Sequence, residues 1–453
     1  MRLPRDIADP AWRAALEAAI TAAATPQDRA ELAMVLAEQA AALLLADGGP
    51  FPAPIQARLE RFAAVPGHPI RSDPVPQALF IDEGVPAPRR DAGSNAALSH
   101  IAALTRLGFR VHFVAGAGME PSAGTSALEA MGVTCWHLPW VGSVEEVLRA
   151  LGPRLALVYV HRFAIMQRYG ALVRRWAPDA RLLYCVADLQ SLRTARRIAV
   201  EAGLPADAPE GHTAAASLRL AEYLAITAAD AAITHSSHEA ALLRAELPEA
   251  NIILAAWEVP LAAPQDPTAR HGVAFIGSYG HAPNLDAAHT LIEDVMPLVW
   301  AEAPDITVYL AGSDLPATLR RAAERAAGPV EVLGWVENLD AVLARLRLTA
   351  APLRYGAGLK GKVLDSTAAG VPCLCTPMAA EGMDLPPSLA TLICTTLEAM
   401  ASRIIALHRD DAEHAALAAA GRHWIAETFT PARIDAALRG ALGASGDRDP
   451  GRV

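Results

Sequence analysis

The stretch Leu348-Thr349-Ala350-Ala351-Pro352-Leu353-Arg354-Tyr355-Gly356-Ala357-Gly358-Leu359-Lys360-Gly361-Lys362-Val363-Leu364-Asp365 decides how this chain is read. It opens as an apolar, strand-like run, bends through a glycine-rich turn and enters a helix at about Val363. Lys360 and Lys362 are the only lysines in 453 residues; every other fixed cation is an arginine. A lysine ammonium is a compact charge on a mobile stem and a guanidinium a rigid fork, so the two are not interchangeable against a phosphate. Free N–H groups at a helix N-terminus, glycines that admit a close backbone and two ammoniums make an anion site suited to a diphosphate. The plain alternative is a solvated loop on which two lysines fall together. Asp365, one turn in, is either an acceptor for ribose hydroxyls or an acid complementing the helix dipole.

Working outward, this strand belongs to a series: Val273–Ile276, Ile306–Leu310, Val330–Leu333, Leu348–Leu353, Val371–Cys375 and Thr391–Cys394, with helical stretches between. An earlier series comprises Ala78–Ile81, Phe109–Val114, Leu155–Val160, Arg181–Val186 and Ala231–Thr234. Between its first two strands, Asp91-Ala92-Gly93-Ser94-Asn95 reads as a loop leading into a helix with Leu98, Ile101, Ala102 and Thr105 on one face and Gly108 as its stop. Alternating strands and helices predict α/β architecture: two Rossmann-like, doubly wound domains facing across a cleft. The expected divisions are a helical extension over 1–75, a first domain over 76–262, a second over 270–410, helices over 411–442 and a disordered tail over 443–453. The proline-rich segment Val259–Arg270 reads as the linker.

Ligands of such domains gather at the carboxyl ends of the strands. Gly277-Ser278-Tyr279-Gly280-His281 follows the first strand of the second domain, with Asn284 placed to cap the next helix; it is a phosphate-approaching turn or merely a tight one. Gly93 and Ser94 hold the equivalent place in the first domain. His161 ends the strand beginning at Leu155, as a reactive group or a satisfied structural one. His235-Ser236-Ser237-His238-Glu239 lacks the spacing of H-E-x-x-H and is not read as a metal site. Gly356-Ala357-Gly358-Leu359-Lys360-Gly361 also matches G-x-G-x-x-G, with Glu381 20 residues beyond, but a dinucleotide fingerprint belongs to the first strand-turn-helix of its domain.

Composition narrows the classes. A net charge of −10 argues against broad nucleic-acid binding, so attraction to a phosphate must be local. Five cysteines without C-x-x-C spacing fit neither a disulfide framework nor a zinc site, and Cys373 and Cys375 read as small core residues. Met1–Trp12 is charged, and the apolar run Ala40–Ala46 falls far short of the roughly 18 residues of a spanning helix. A cytoplasmic protein is expected, with peripheral contact to the inner face of a membrane or to another protein left open for residues 1–75.

Val273-Ala274-Phe275-Ile276-Gly277-Ser278, Pro283-Asn284, Tyr309-Leu310-Ala311-Gly312-Ser313, Leu333-Gly334-Trp335-Val336 and Pro352 through Asp365, with Ala369-Gly370-Val371-Pro372 and Ala380-Glu381-Gly382, resemble family 4 glycosyltransferases of the GT-B fold. The resemblance covers about 270–385. It is weaker over 78–260, where Ile81-Asp82, Gly93-Ser94, Leu107-Gly108 and Val186-Ala187-Asp188-Leu189 carry it, and absent from 1–75. It implies retaining transfer from a nucleoside-diphosphate sugar to a glycan, lipid-linked or protein acceptor, in polysaccharide biosynthesis, without metal or cofactor.

It also implies a donor site. Gly277, Ser278, Tyr279, Asn284 and Gly312 would contribute from the strand ends, Gly334, Trp335 and Val336 near the base, and Gly356, Gly358, Leu359, Gly361 and Leu364 around the turn. Asp365 takes the place of the second Glu of an E-x7-E motif at the ribose, Lys362 faces the diphosphate with Lys360 beside it, His161 approximates a sugar-side histidine, and Gly93 and Ser94 form an acceptor-side loop. The first Glu of the motif falls on Ala357. A catalytically silent nucleotide-sugar-binding partner of another transferase is therefore the alternative.

Overall fold

The computed structural model describes residues 75–87, 91–263 and 270–443. The expected helical extension before Val75, residues 264–269 of the expected linker Val259–Arg270 and the expected tail beyond Gly443 lie outside the described residues. In chain order the strands are β1 Gln77–Asp82, β2 Arg110–Ala115, β3 Thr134–Trp136, β4 Leu155–His161, β5 Arg181–Ala187, β6 Ala231–Thr234, β7 Ile252–Leu254, β8 His271–Ile276, β9 Val308–Ala311, β10 Val330–Gly334, β11 Leu346–Ala351 and β12 Cys373–Cys375. Five helices bear on the site: α1 Ala92–Arg106, α2 Gln190–Glu201, α3 Ser237–Glu246, α4 Ala282–Thr290 and α5 Gly361–Ala368.

Contacts group the described residues into two compact units: those up to Val85 with Leu104–Leu182, and Pro86–Ala103 with those from Leu183 onward. In the first, parallel strands lie in the order β3-β2-β1-β4. Every residue of β1 is buried, as expected when helices cover both faces of a parallel sheet. The register sets Phe80 opposite Phe113 and Tyr159, and its ring stacks on Tyr159 at 4.4 Å between centroids.

In the second unit β5-β6-β7 pair in parallel, and a separate five-stranded parallel sheet has the order β10-β9-β8-β11-β12. Numbered from β8, that order is 3-2-1-4-5, one half of a doubly wound sheet. The chain winds outward from β8 in one direction and from β11 in the other. The crevice where the direction reverses therefore lies between the turns that leave β8 and β11. Its core is built on Val273, Phe275, Leu310, Leu348, Val363 and Leu364, all almost fully buried.

Three expectations are corrected. Gly93 and Ser94 do not form a loop but lie in the first turn of α1: Asp91 Oδ1 accepts the Ser94 N–H at 2.7 Å and Oδ2 accepts the Ser94 hydroxyl, so the aspartate caps the helix earlier than periodicity alone suggests. Thr391–Cys394 is not a full strand: Thr391 and Leu392 close the 3₁₀ turn Pro387–Leu392, and what remains is a single parallel bridge of Ile393 to Cys375, with the Cys394 N–H donating to the Cys375 carbonyl at 2.7 Å. The helix after the lysine turn begins at Gly361 rather than Val363. Strands β3 and β7, three residues each, are too short to reveal a period. All five cysteines are buried free thiols, with Cys373 and Cys375 in β12 as expected.

Candidate active site

Helix α5 begins where the turn after β11 ends. Lys360 is its N-cap, and the next two N–H groups, of Gly361 and Lys362, have no acceptor within the helix. Gly361 has to be a glycine here, since a Cβ would stand 2.9 Å from that of Ala92 in α1. Gly358 adopts φ +68, and a side chain there would press on Asp188 at 2.7 Å.

Lys360 is the extended N-cap and Lys362 lies inside the helix, and the two side chains diverge. Lys362, part-buried, turns toward β8: its Nζ hydrogen-bonds Asn284 Oδ1 and lies 4.4 Å from the centre of the Phe275 ring. Burial pushes its pKa down to about 7, the charge of Lys360 adding to the shift and the Cys373 and Cys375 thiols opposing it. Lys360 turns the other way. Its Nζ is buried and donates to the Gly358 carbonyl at 2.7 Å, with burial lowering its pKa to about 8 against the pull of Glu381 and Glu239. Of the two ammoniums expected to act together, only Lys362 turns toward the wall after β8; Lys360 braces the turn from within.

The turn after β8 is the opposite wall. A Cβ on Gly277 would come within 2.8 Å of Asn284 Nδ2 and 3.1 Å of Lys362 Nζ, so glycine leaves the space those groups fill. Asn284 is not the cap of α4, which is His281, but stands in its first turn; its Nδ2 donates to the Ser278 carbonyl at 2.8 Å while Oδ1 accepts from Lys362. Gly312, at φ +145, packs against the Gly277 carbonyl, where a Cβ would approach to 1.8 Å, and its N–H donates to the Gly334 carbonyl. The ends of β8, β9 and β10 are thereby laced together. Ser278 donates to Asp314 at 3.0 Å. Tyr279 is core, 2% exposed, its hydroxyl donating to the Ala311 carbonyl. Leu359 and Leu364 are core as well, and Val336 packs at the edge of a smaller cluster. Trp335 is 60% exposed at the end of β10, and Asp365 is half-buried one turn beyond Lys362 on the same side of α5.

His281, the N-cap of α4, is neutral near pH 7 and adds no charge. Its outer edge is exposed, yet desolvation and the charges of Arg193 and Lys362 push its pKa down to about 4. Arg193, in α2, is held by Asp188.

His161 lies at the equivalent strand end of the first unit, where β1 and β4 neighbour one another. It is 1% exposed and its Nδ1 stands 3.0 Å from Asp82 Oδ2, while Arg162 donates to Oδ1 at 2.9 Å. Burial alone would raise the Asp82 carboxyl, but His161 and Arg162 hold it below the usual range. Of the His235–Glu239 run, His235 Nδ1 meets the Ala255 carbonyl at 2.6 Å and His238 approaches Glu381, so these side chains take separate partners.

Sequence reasoning missed Arg196 and Glu239. Arg196 is 1% exposed in α2; it forks onto Glu381 at 2.7 and 2.8 Å and donates to the Gly356 carbonyl at 2.9 Å. In sequence it sits among Arg193 and Arg197 and looks like part of a solvated face. Glu239 is fully buried and accepts the Gly358 N–H at 2.8 Å. The spacing Ser236-x-x-Glu239 does mark a helix start, and Ser236 caps α3, but nothing local tells where the carboxylate goes.

Residues 270–410 match the family model described as glycosyl transferases group 1. No curated protein matches the chain in sequence. Among solved structures, HepE from Anabaena in complex with UDP and glucose is similar at 17% identity and a TM-score of 0.60 over 81% of this chain and 99% of its own. A glycosyltransferase from Rickettsia africae ESF-5 aligns at 11% identity and 0.59, over 82% of this chain and all of its own. An alpha-glucosyltransferase in complex with UDP-glucose and DNA containing an abasic site aligns at 12% and 0.56, with the same coverage. At these identities the likeness is one of fold, and the fold is GT-B.

Proposed function

We propose that this glycosyltransferase, identified as such by its group 1 domain, takes a sugar from a nucleoside-diphosphate donor and transfers it with retention at the anomeric carbon to a glycan, lipid-linked or protein acceptor. The observation that carries the reading is Lys362. An ammonium at the start of α5 is turned toward the glycine wall after β8, at the crevice where a doubly wound sheet takes its ligand. In this reading 270–410 is the donor-binding domain and 76–262 the acceptor side, with Asp365 at the ribose and Trp335 near the base.

The chemistry follows from where charge develops. As the glycosidic bond to the diphosphate lengthens, the sugar becomes oxocarbenium-like and negative charge gathers on the leaving oxygens. Lys362 and the N–H groups of Gly361 and Lys362 face that charge without having to reorganise, which serves the transition state more than the ground state. The family resemblance supports a metal-free reaction, with the ammonium and helix N–H groups as the local stabilisers of the leaving group. That HepE was crystallised with UDP and glucose supports a uridine nucleotide as the first donor to try. A net charge of −10 weighs against a DNA acceptor of the kind seen with the alpha-glucosyltransferase neighbour. Among the described residues no helix is long and apolar enough to cross a membrane; a cytoplasmic enzyme of polysaccharide assembly, free or peripherally attached, fits the reading.

The test is turnover. Purified protein is supplied with UDP-, GDP- and ADP-sugars, release of nucleoside diphosphate is followed with and without acceptor mixtures, and the anomeric configuration of the product is read by NMR. Release from one donor that Lys362→Met abolishes supports the reading. No release and no binding of any of them would overturn it.

A further inference from the structure

The turn that carries the lysines is held at both ends by one buried acid and one buried base from outside its own sheet. Glu239 Oε1 accepts two backbone N–H groups, of Gly358 at 2.8 Å and of Leu189 at 3.1 Å, and Oε2 accepts the Thr234 hydroxyl at 2.9 Å. Arg196 grips the Gly356 carbonyl at 2.9 Å while its fork is fixed by Glu381 and its Nε by Asp207 at 2.8 Å. Both side chains are essentially inaccessible to solvent, so neither is a surface ion pair that happens to lie nearby.

The arrangement has a steric logic. The turn after β5, with Ala187 at φ +63, and the turn 356–358 approach so closely that a Cβ on Gly358 would stand 2.7 Å from that of Asp188. Two N–H groups, of Leu189 and Gly358, therefore converge on one gap. An sp² oxygen at the end of a side chain of this length carries two lone pairs and can accept both converging donors at once. The Gly358 carbonyl then receives Lys360, and the next residues are the helix start and Lys362.

We propose that Glu239, with Arg196, is a positioning residue of the donor site: its carboxylate sets the backbone of 356–358, and through it the N–H groups of α5 and the ammonium of Lys362, without touching substrate. The inference rests on the proposed donor site and adds to it the residue that places that site. What matters is the reach of Oε1 to two N–H groups.

Two variants separate reach from charge. Glu239→Gln keeps an oxygen at the Oε1 position and can turn its amide toward Thr234, whose hydroxyl accepts as well as donates. Glu239→Asp keeps the charge but falls a methylene short. Leu243→Ala, in the buried face of the same helix, controls for general loss of stability. The full-length proteins are titrated with UDP by calorimetry, and amide exchange of the peptide containing Gly358 is followed by mass spectrometry. Glu239→Asp is expected to weaken UDP binding at least about tenfold and to speed exchange at Gly358, with Glu239→Gln within about threefold of wild type and Leu243→Ala unchanged in affinity. Equal affinity and equal protection in all variants would overturn the proposal, and so would a loss in Glu239→Gln matching that in Glu239→Asp. If wild type does not bind UDP, the titration is repeated with GDP and ADP; failure with all three sinks the donor reading on its own account, while the exchange arm still decides whether Glu239 holds the turn.

Discussion

The two units each bring polar side chains to the same topological place, the carboxyl ends of the first and fourth strands of a 3-2-1-4 order, and use them in opposite ways. In the first unit the charges close on themselves: Asp82 is enclosed by His161 and Arg162 and by the Glu83 N–H at 2.7 Å. In the second, Lys362 has an amide oxygen and an aromatic face as partners, and among the described residues no carboxylate within ion-pairing distance. A matched cluster contributes to stability. An unmatched cation at a helix start is an expense to the fold that an incoming anion offsets.

The largest effect should come from the unmatched charge. Lys362→Met ought to lower donor turnover by roughly 100- to 1,000-fold, the scale of removing one fixed stabiliser of developing charge, while leaving thermal stability unchanged or raised, because an apolar side chain of similar length avoids desolvating an ammonium. A melting temperature that falls with activity would place Lys362 among the structural residues and erase the contrast.

The mirror experiment is Asp82→Asn. Removing one partner of a buried ion pair should cost about 3 kcal/mol of unfolding free energy in urea, with UDP affinity unaltered. The pH dependence has a definite sign. Because the folded-state pKa of Asp82 is depressed, its contribution is fully present above the unfolded carboxylate value of about 3.9 and is lost as pH falls through the folded value; Asp82→Asn should lack that acid limb. A variant that keeps its stability but loses nucleotide would show the first cluster to be a binding element after all.

Protonation of Lys362 sharpens the comparison further. Its free pKa of about 7 means that a bound diphosphate, which favours the ammonium, draws in a proton above that pH. UDP affinity should be level just below pH 7 and fall by up to about tenfold per unit above it, and the slope should vanish in Lys362→Met. Identical slopes in both proteins would assign the dependence to another group.

How much of this was legible beforehand depended on whether the signal was local. The strand-turn-helix around Lys362, the glycine wall at Gly277 and the doubly wound series could be read because periodicity, glycines and a helix start all lie within a dozen residues. The directions of the two lysines could not, since which of them caps the helix and which lies inside it depends on where the helix starts, and it starts two residues earlier than expected, at Gly361. Tyr279 read as a ligand contact because it follows the glycine turn, but its ring is core. Glu239 and Arg196 act 119 and 160 residues away in sequence from the glycines they hold, a distance over which a single chain carries no pattern.

The smallest expected effect concerns the far end of the donor. Trp335 is exposed at the end of β10, next to Gly334, whose φ of +63 turns the chain there and whose carbonyl accepts the Gly312 N–H. An indole face left open to water at a strand end is a stacking surface, and if a base lies on it the gain is modest, since a ring over a ring adds about 0.5–1.5 kcal/mol beyond buried area. Trp335→Ala should therefore weaken UDP by a few-fold and leave inorganic pyrophosphate untouched, whereas Lys362→Met should weaken both. Loss of pyrophosphate in Trp335→Ala would mean that the end of β10 shapes the phosphate end too, through the Gly334–Gly312–Gly277 lacing rather than through stacking.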